Sequence, residues 1–401
     1  MQKIISLTLF LLYFSFTYGQ SAKEQLELVN SVKLEDVEFF KEISFQDKFG
    51  YFIIPVKIGD DVYDYIFDTG GYNTVTSEII SRNKLPNLME VEVGSANQLK
   101  SNIILTKIPT VDIAGVQFKE IGAFNFDFKD SPQINCYTNG GLIGKSIIKN
   151  AVWQINAPEK KIVLTDDINK LDNLDNAIKL KVKLDKVFNP FVKAKINGKT
   201  KSFLLDFGYG GFISLTEAEG KSINSQKMVE VTGEGAVSAN GILNENIFIK
   251  NIKSFEIGNS SIPSQVVYYS KSNNYNLIGS KIAKYFIVTL NFEEKELFLT
   301  PIEKKEEVQP KSSFGFDLNR NENNVYVSKI FKGLSADKKG LKLNDVVISI
   351  NDKMVNQGTY CDFYNGTKEL LKADEPIRLK VKRGNELLNI EIIKSKLFQV
   401  E

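Results

Sequence analysis

Two short stretches of the 401-residue chain set an aspartate in the same surroundings. The first reads Ile66-Phe67-Asp68-Thr69-Gly70-Gly71. The second reads Leu204-Leu205-Asp206-Phe207-Gly208, followed by Tyr209-Gly210-Gly211. Each has a later companion, Leu142-Ile143-Gly144 and Leu277-Ile278-Gly279. A carboxylate held at the tip of a tight turn needs backbone without a Cβ, which Gly70 and Gly208 supply. The apolar residues before each Asp bury the strand that carries it. Two such turns face to face would bring Asp68 and Asp206 together in low dielectric, where the two cannot both ionise and so share one proton. One carboxylate then activates a water as general base, while its protonated partner polarises a carbonyl.

The spacing points to duplication of a whole unit rather than of a short motif. Asp68 and Asp206 lie 138 residues apart (206 − 68), as do Ile58 and Ile196 (196 − 58). Gly144 and Gly279 lie 135 apart (279 − 144), and Asn156–Asn291 and Thr165–Thr300 keep that offset. A domain-sized repeat follows. Its elements read alike in both copies. Phe52 to Ile58 and Phe191 to Ile196 are predicted strands, each ending in a turn, Gly59-Asp60 or Asn197-Gly198. The next strand runs into the Asp. Hairpin turns are expected at Ala114-Gly115 and Gly258-Asn259. Short helices are expected at Ile147-Ile148 and Ile282-Ala283. Closing hairpins are expected at 153–164 and 288–299.

Composition narrows the chemistry. Lys+Arg 51 against Asp+Glu 49 leaves a net charge of +2, so nothing favours a nucleic acid or a membrane surface as partner. The chain has no histidine, which removes Ser-His-Asp and Cys-His mechanisms and His-bearing zinc sites. No calcium loop is present, and no metal or cofactor is expected. Phe, Tyr, Ile and Val with few Ala favour β-structure. Lys3, the apolar run Ile4 to Tyr18 and the small residues of Thr17-Tyr18-Gly19 read as a cleaved leader of residues 1–19, hence export to the periplasm or medium. After cleavage no membrane-spanning segment is expected. Cys136 and Cys361 fall in different expected domains. They read as two buried unpaired thiols, with one inter-domain bridge as the alternative.

These motifs resemble the pepsin-like and retroviral-type aspartic peptidases, in the bacterial retropepsin-like form with two lobes in one chain. The resemblance covers about residues 40–303. It implies a mainly β, bilobal fold of two duplicated β-barrel-like lobes, a cleft between them, and Asp68 and Asp206 as the catalytic pair. Thr69, Gly70, Phe207 and Gly208 would shape the active turns, and the apolar-apolar-Gly strings would pack behind them. It also implies a flap over the cleft, here Val91 to Leu105 with Gly94, Ser95, Ala96 and Asn97 at its tip. The second turn departs from the family. Phe207 stands where a Thr or Ser would hydrogen-bond to the opposite loop, and burying its ring would reshape the turn.

Beyond a charged stretch the pattern changes. Phe314 to Leu318 and Val325 to Ile330 read as strands, 335–340 as a helical turn ending on Gly, and Tyr360 to Leu371 as a helix. The string Ala336 to Asn351 resembles a PDZ domain, with Asn344 where Gly is usual. Ser313-Phe314-Gly315-Phe316 matches its carboxylate-binding loop, whose backbone N–H groups would receive a peptide C-terminus while the next strand accepts the peptide by β-addition. A spacer that binds nothing is the other reading.

The expected order is a leader (1–19), an N-terminal segment (20–44), lobe one (45–170), lobe two (171–303), a linker (304–311) and an α+β PDZ domain (312–398). The expected function is exported peptide-bond hydrolysis of a polypeptide substrate, with PDZ recognition of peptide C-termini. The alternative is a catalytically degenerate peptide-binding protein.

Overall fold

The computed structural model describes residues 22–225, 227–303, 312–355 and 358–398. The expected leader and the linker 304–311 lie outside the described residues. The protein is mainly β, with barrel-like sheets and a separate C-terminal core. Alternation decides the faces. Along Tyr51–Ile58, Ile54, Val56 and Ile58 are buried while Pro55 and Lys57 face out.

The two sequence copies fold with the same connections. Tyr51–Ile58 pairs antiparallel with Asp61–Phe67, whose end runs parallel to Gly141–Ile143. Pro190–Ile196 pairs likewise with Lys199–Asp206, whose end runs parallel to Leu277–Gly279. Long hairpins follow each Asp at the expected turns, Lys100–Ile113 with Val116–Asn125 and Ile247–Ile257 with Ser260–Ser270.

The halves join through their closing hairpins. Val152–Asn156 pairs with Lys161–Thr165 on one side and with Phe286–Asn291 on the other, inside a six-stranded sheet. At its centre Gln154 lies opposite Thr289, 135 residues away (289 − 154), which is the repeat offset itself. This one pair joins repeat counterparts, and the flanking pairs Trp153–Leu290 and Ile155–Val288 are exchanged about it, so a local twofold axis passes between Gln154 and Thr289. Gln154 Nε2 donates to Thr289 Oγ1 at 2.9 Å. The N-terminal segment belongs to this assembly. Phe40–Ser44 pairs with Lys161–Thr165, and the helix Ala22–Val29 ends with Val29 fully buried.

The C-terminal module stacks Phe316–Arg320, Val325–Phe331, Val346–Ile350, Ile377–Arg383 and Glu386–Ile392 around Phe316, Val327, Leu379 and Val381. Its helix Tyr360–Leu370 opens on a reciprocal cap between Thr359 and Asp362. The first core strand starts at Phe316 rather than at the expected Phe314. Gly315 sits at φ +89, outside strand geometry, and a Cβ there would stand 2.7 Å from Leu334 Cβ.

The module is docked rather than merely tethered. Val231, Thr232 and Gly233 of the second half pair with Phe331, Ile330 and Lys329. The expectation of two unpaired thiols is corrected, because Cys136 and Cys361 form a disulfide. The helix Tyr360–Leu370 lies against the turn Ile134–Cys136, bringing the two Cα atoms to 5.2 Å, and a separation of 225 residues hid that closeness in the sequence. Closing so long a loop restricts the unfolded chain. Cys361→Ser should therefore cost about 2–5 kcal/mol in urea unfolding of the oxidised protein; an unchanged midpoint would contradict the bridge.

Candidate active site

The strands that end at Asp68 and Asp206 deliver the two carboxyls to one place. Gly70 and Gly208 are needed for close approach rather than for an unusual φ. A Cβ on Gly70 would stand 2.7 Å from Asp206 Cγ, and one on Gly208 would stand 2.5 Å from Asp68 Cγ. Each turn's glycine thus faces the other turn's carboxyl, as the twofold relation requires. Behind the turns, Asp68 N–H donates to Ile143 O at 2.9 Å and Gly279 N–H to Phe212 O at 2.8 Å, so both Leu-Ile-Gly strings support the turns.

The turns differ where their sequences differ. Thr69, fully buried, donates its hydroxyl to Leu205 O at 2.7 Å and accepts the Phe207 N–H at 3.0 Å. This single side chain ties the first turn across to the strand and turn that carry Asp206. The reciprocal bonds have no hydroxyl to make them. Phe207 instead buries its ring in the core, edge-on to Phe52 at 5.7 Å and tilted against Phe67 at 6.4 Å. The expected reshaping of the turn does not separate the carboxyls, because Asp206 still faces Gly70.

The electrostatics are equally uneven. Burial raises both carboxyl pKa values, that of Asp206 well above the usual carboxylate range, with the Asp68 charge as its next cause. Asp68 Oδ1 accepts the Gly70 and Gly71 N–H groups, each at 2.8 Å, which favours its ionised form and offsets part of the burial. Asp206 is opposed in the same way by Gly208. The pair is therefore built to keep a proton, held more tightly by Asp206. Among the described residues no three His, Cys, Asp or Glu side chains gather as metal ligands.

The expected flap is a hairpin, Asn87–Gly94 with Lys100–Ile113, in which Gly94 pairs with Lys100 and the tip lies at 95–99. Ser95 N–H donates to Leu99 O at 2.9 Å, and Ala96 is exposed. The tip meets the second half's own hairpin, Met228–Ser238 with Gly241–Asn244. Asn97 Nδ2 donates to Gly241 O at 3.0 Å, and Asn240 Nδ2 donates to Val93 O at 2.8 Å and Leu99 O at 2.9 Å. Ser95 shares this clasp through Ser238 Oγ at 2.9 Å.

The helix of the C-terminal module packs onto the first half through tyrosine rings. Tyr364 of its helix stands 6.0 Å from the ring of Tyr137, and Tyr137 stands 5.1 Å from that of Tyr51. Burial, then Tyr364, then Asp206 and Asp68 raise the Tyr51 phenol pKa. Tyr360 Oη donates to Asn319 Oδ1 at 2.9 Å across the space between the helix and Phe316–Arg320. Glu234, from the second half's hairpin, accepts Tyr326 Oη at 2.7 Å and Asn319 Nδ2 at 2.9 Å. Phe316–Arg320 pairs with Val325–Phe331 along one edge, and among the described residues no strand pairs with its other edge. In the expected carboxylate loop Phe314 and Phe316 are buried, and Gly315 N–H donates to Ser313 Oγ at 3.0 Å.

The C-terminal module is a PDZ domain, since the PDZ family model matches residues 312–393. No curated protein matches the chain. Sequence reasoning missed the Tyr51–Tyr137–Tyr364 contact, the clasp of Asn97 with Asn240, and Lys145 beside the pair. For Lys145 a mark was present: the first Leu-Ile-Gly is followed by Lys and the second by Ser.

Two outcomes follow. Thr69→Val should cost about 1–3 kcal/mol, because it strips the buried Leu205 carbonyl and Phe207 N–H of a partner; thermal unfolding that matches the wild type would count against the bridge. The second concerns pH. A carboxyl whose folded pKa is raised leaves stability intact below its unfolded pKa of about 3.9 and erodes it as pH rises through the folded value. Asp206→Asn should then melt higher than the wild type at neutral pH and converge with it in acid. A difference independent of pH would oppose the assigned shift.

Proposed function

We propose that this chain is an exported aspartic endopeptidase of the two-lobed, retropepsin-like kind, with its PDZ domain receiving polypeptide tails. The observation that carries the reading is the exchange at the turns, where each glycine admits the other turn's carboxyl. The local twofold at Gln154 and Thr289 supports a paired-lobe fold, and the hairpin expected as the flap is clasped to a hairpin of the second half. The Cys136–Cys361 bridge fits an oxidising compartment, in keeping with a leader at 1–19.

The uneven hydrogen bonding assigns the roles. Asp68, which accepts two N–H bonds, is the ionised base, and Asp206 carries the proton. A water between them gives a proton to Asp68 as its oxygen bonds to the scissile carbonyl carbon, and Asp206 protonates the carbonyl oxygen. The resulting gem-diol collapses with cleavage of the C–N bond. Asp68 then protonates the leaving amine, and a diol hydroxyl returns a proton to Asp206. The free edge of Phe316–Arg320 is the surface on which an extended peptide would add as a strand.

A second reading, a non-catalytic peptide-binding protein, is favoured by one observation: Phe207 leaves the bridge between the turns without its reciprocal half. Incubation with an unfolded polypeptide from acid to neutral pH separates the two. Cleavage that falls at least about 10²-fold in Asp68→Asn supports the peptidase. Cleavage that survives the substitution rejects the pair as its catalyst, and tight binding without cleavage at any pH favours the second reading.

A further inference from the structure

Lys145 takes no part in the chemistry above, yet it lies beside the carboxyl pair and is only 3% exposed. It follows Leu142-Ile143-Gly144, and its N–H donates to Gly71 O at 3.0 Å. Its ammonium donates to Asn189 Oδ1 at 2.5 Å and to Gly70 O at 3.4 Å, and stands 4.2 Å from the centre of the Tyr72 ring. Asn189 is fixed in turn by Asp185, which accepts its Nδ2–H and its backbone N–H, each at 2.9 Å. One side chain therefore links the first active turn to the loop that enters the second half.

The counterpart in the second half is Ser280, at the repeat offset of 135 (280 − 145). Its N–H donates to Tyr209 O at 3.0 Å, which repeats the backbone bond from Lys145 to Gly71. Its hydroxyl donates to Gly50 O and, at 3.4 Å, to Tyr209 O, so the second turn is met by a neutral group where the first meets an ammonium. Backbone support is thus kept in both halves, while a charge is placed in one.

A buried ammonium is costly unless opposing charge and hydrogen bonds surround it. The groups that face this one are Asp185, Asp68 and Asp206, with the ring of Tyr72 beneath it. Burial lowers the Lys145 pKa to about 8 and the three carboxyls work against that fall, so the side chain stays largely charged at neutral pH.

We propose that Lys145 is a positioning residue of the Asp68–Asp206 pair, a buried cation that anchors the Gly70 carbonyl and stabilises the pair's single negative charge on the Asp68 side. This rests on the peptidase reading for its consequence, while one of its two tests needs no cleavage. The ammonium acts on both carboxyls, Asp68 ahead of Asp206, and it bonds the turn whose N–H groups already favour an ionised Asp68. It also opposes the effect of burial, keeping the singly ionised pair available toward neutral pH.

Lys145→Met should move the whole cleavage profile to higher pH by roughly one unit. At the wild-type optimum it should lower kcat while leaving KM nearly unchanged, and Lys145→Arg should restore the position of the profile. A profile that stays in place while the melting temperature falls would overturn the proposal and leave Lys145 a strut. A second measurement needs no cleavage. The Lys145 ammonium is titrated by nuclear magnetic resonance in the wild type and in the Asp68→Asn/Asp206→Asn double variant. Its midpoint should fall when the pair is neutralised, and an unchanged midpoint overturns the proposal. A wild type that cleaves nothing, but in which this midpoint moves, would remove the peptidase reading and keep the coupling.

Discussion

Two carboxyl groups, Asp68 buried and Asp206 half-buried, stand so close that ionising both is costly, and much of the architecture serves to hold them there. Desolvation alone would protonate both. The backbone donors of Gly70 and Gly71 and the Lys145 ammonium work against this for Asp68, so the pair can carry one charge and one proton. Asp206 has weaker opposition, and its pKa is the more strongly raised of the two. The approach itself depends on two glycines that leave no room for a Cβ, and on the Gln154–Thr289 register that relates the halves. Thr69 supplies the direct tie between the turns.

The PDZ domain is part of the same arrangement. Sheet pairing at Val231–Phe331, the bonds gathered by Glu234 and the Cys136–Cys361 bridge seat its helix against the first half. Through Tyr364, Tyr137 and Tyr51 the helix packs onto the first half by a chain of ring contacts. The strand Phe316–Arg320, with no described strand on its far edge, and the carboxyl pair therefore belong to one packed body.

The parts of this structure governed by short-range pattern were legible in the sequence. Strand alternation, turn glycines and the 138- and 135-residue offsets located both Asp turns, their supporting strands and the closing hairpins. The helix Tyr360–Leu370 was legible from its own residues. What was hidden depends on docking across long separations. Cys136 and Cys361 carry no mark of their pairing until the PDZ domain is seated. The hairpin tip at 94–97 was placed only by position within the family resemblance, and its clasp with Asn240 joins residues more than a hundred positions apart. Phe207 was legible as a departure from the pattern, while its consequence was not: the core has room for the ring between Phe52 and Phe67, and the turn holds.

The most direct test is the titration of the Asp68 and Asp206 side-chain carbons in the wild-type protein by nuclear magnetic resonance. A shared proton predicts two well-separated steps, the upper one clearly above the ordinary carboxylate range and reported most strongly at Asp206. Two carboxyls that lose their protons together near the free aspartate value would contradict the pairing on which the whole account stands.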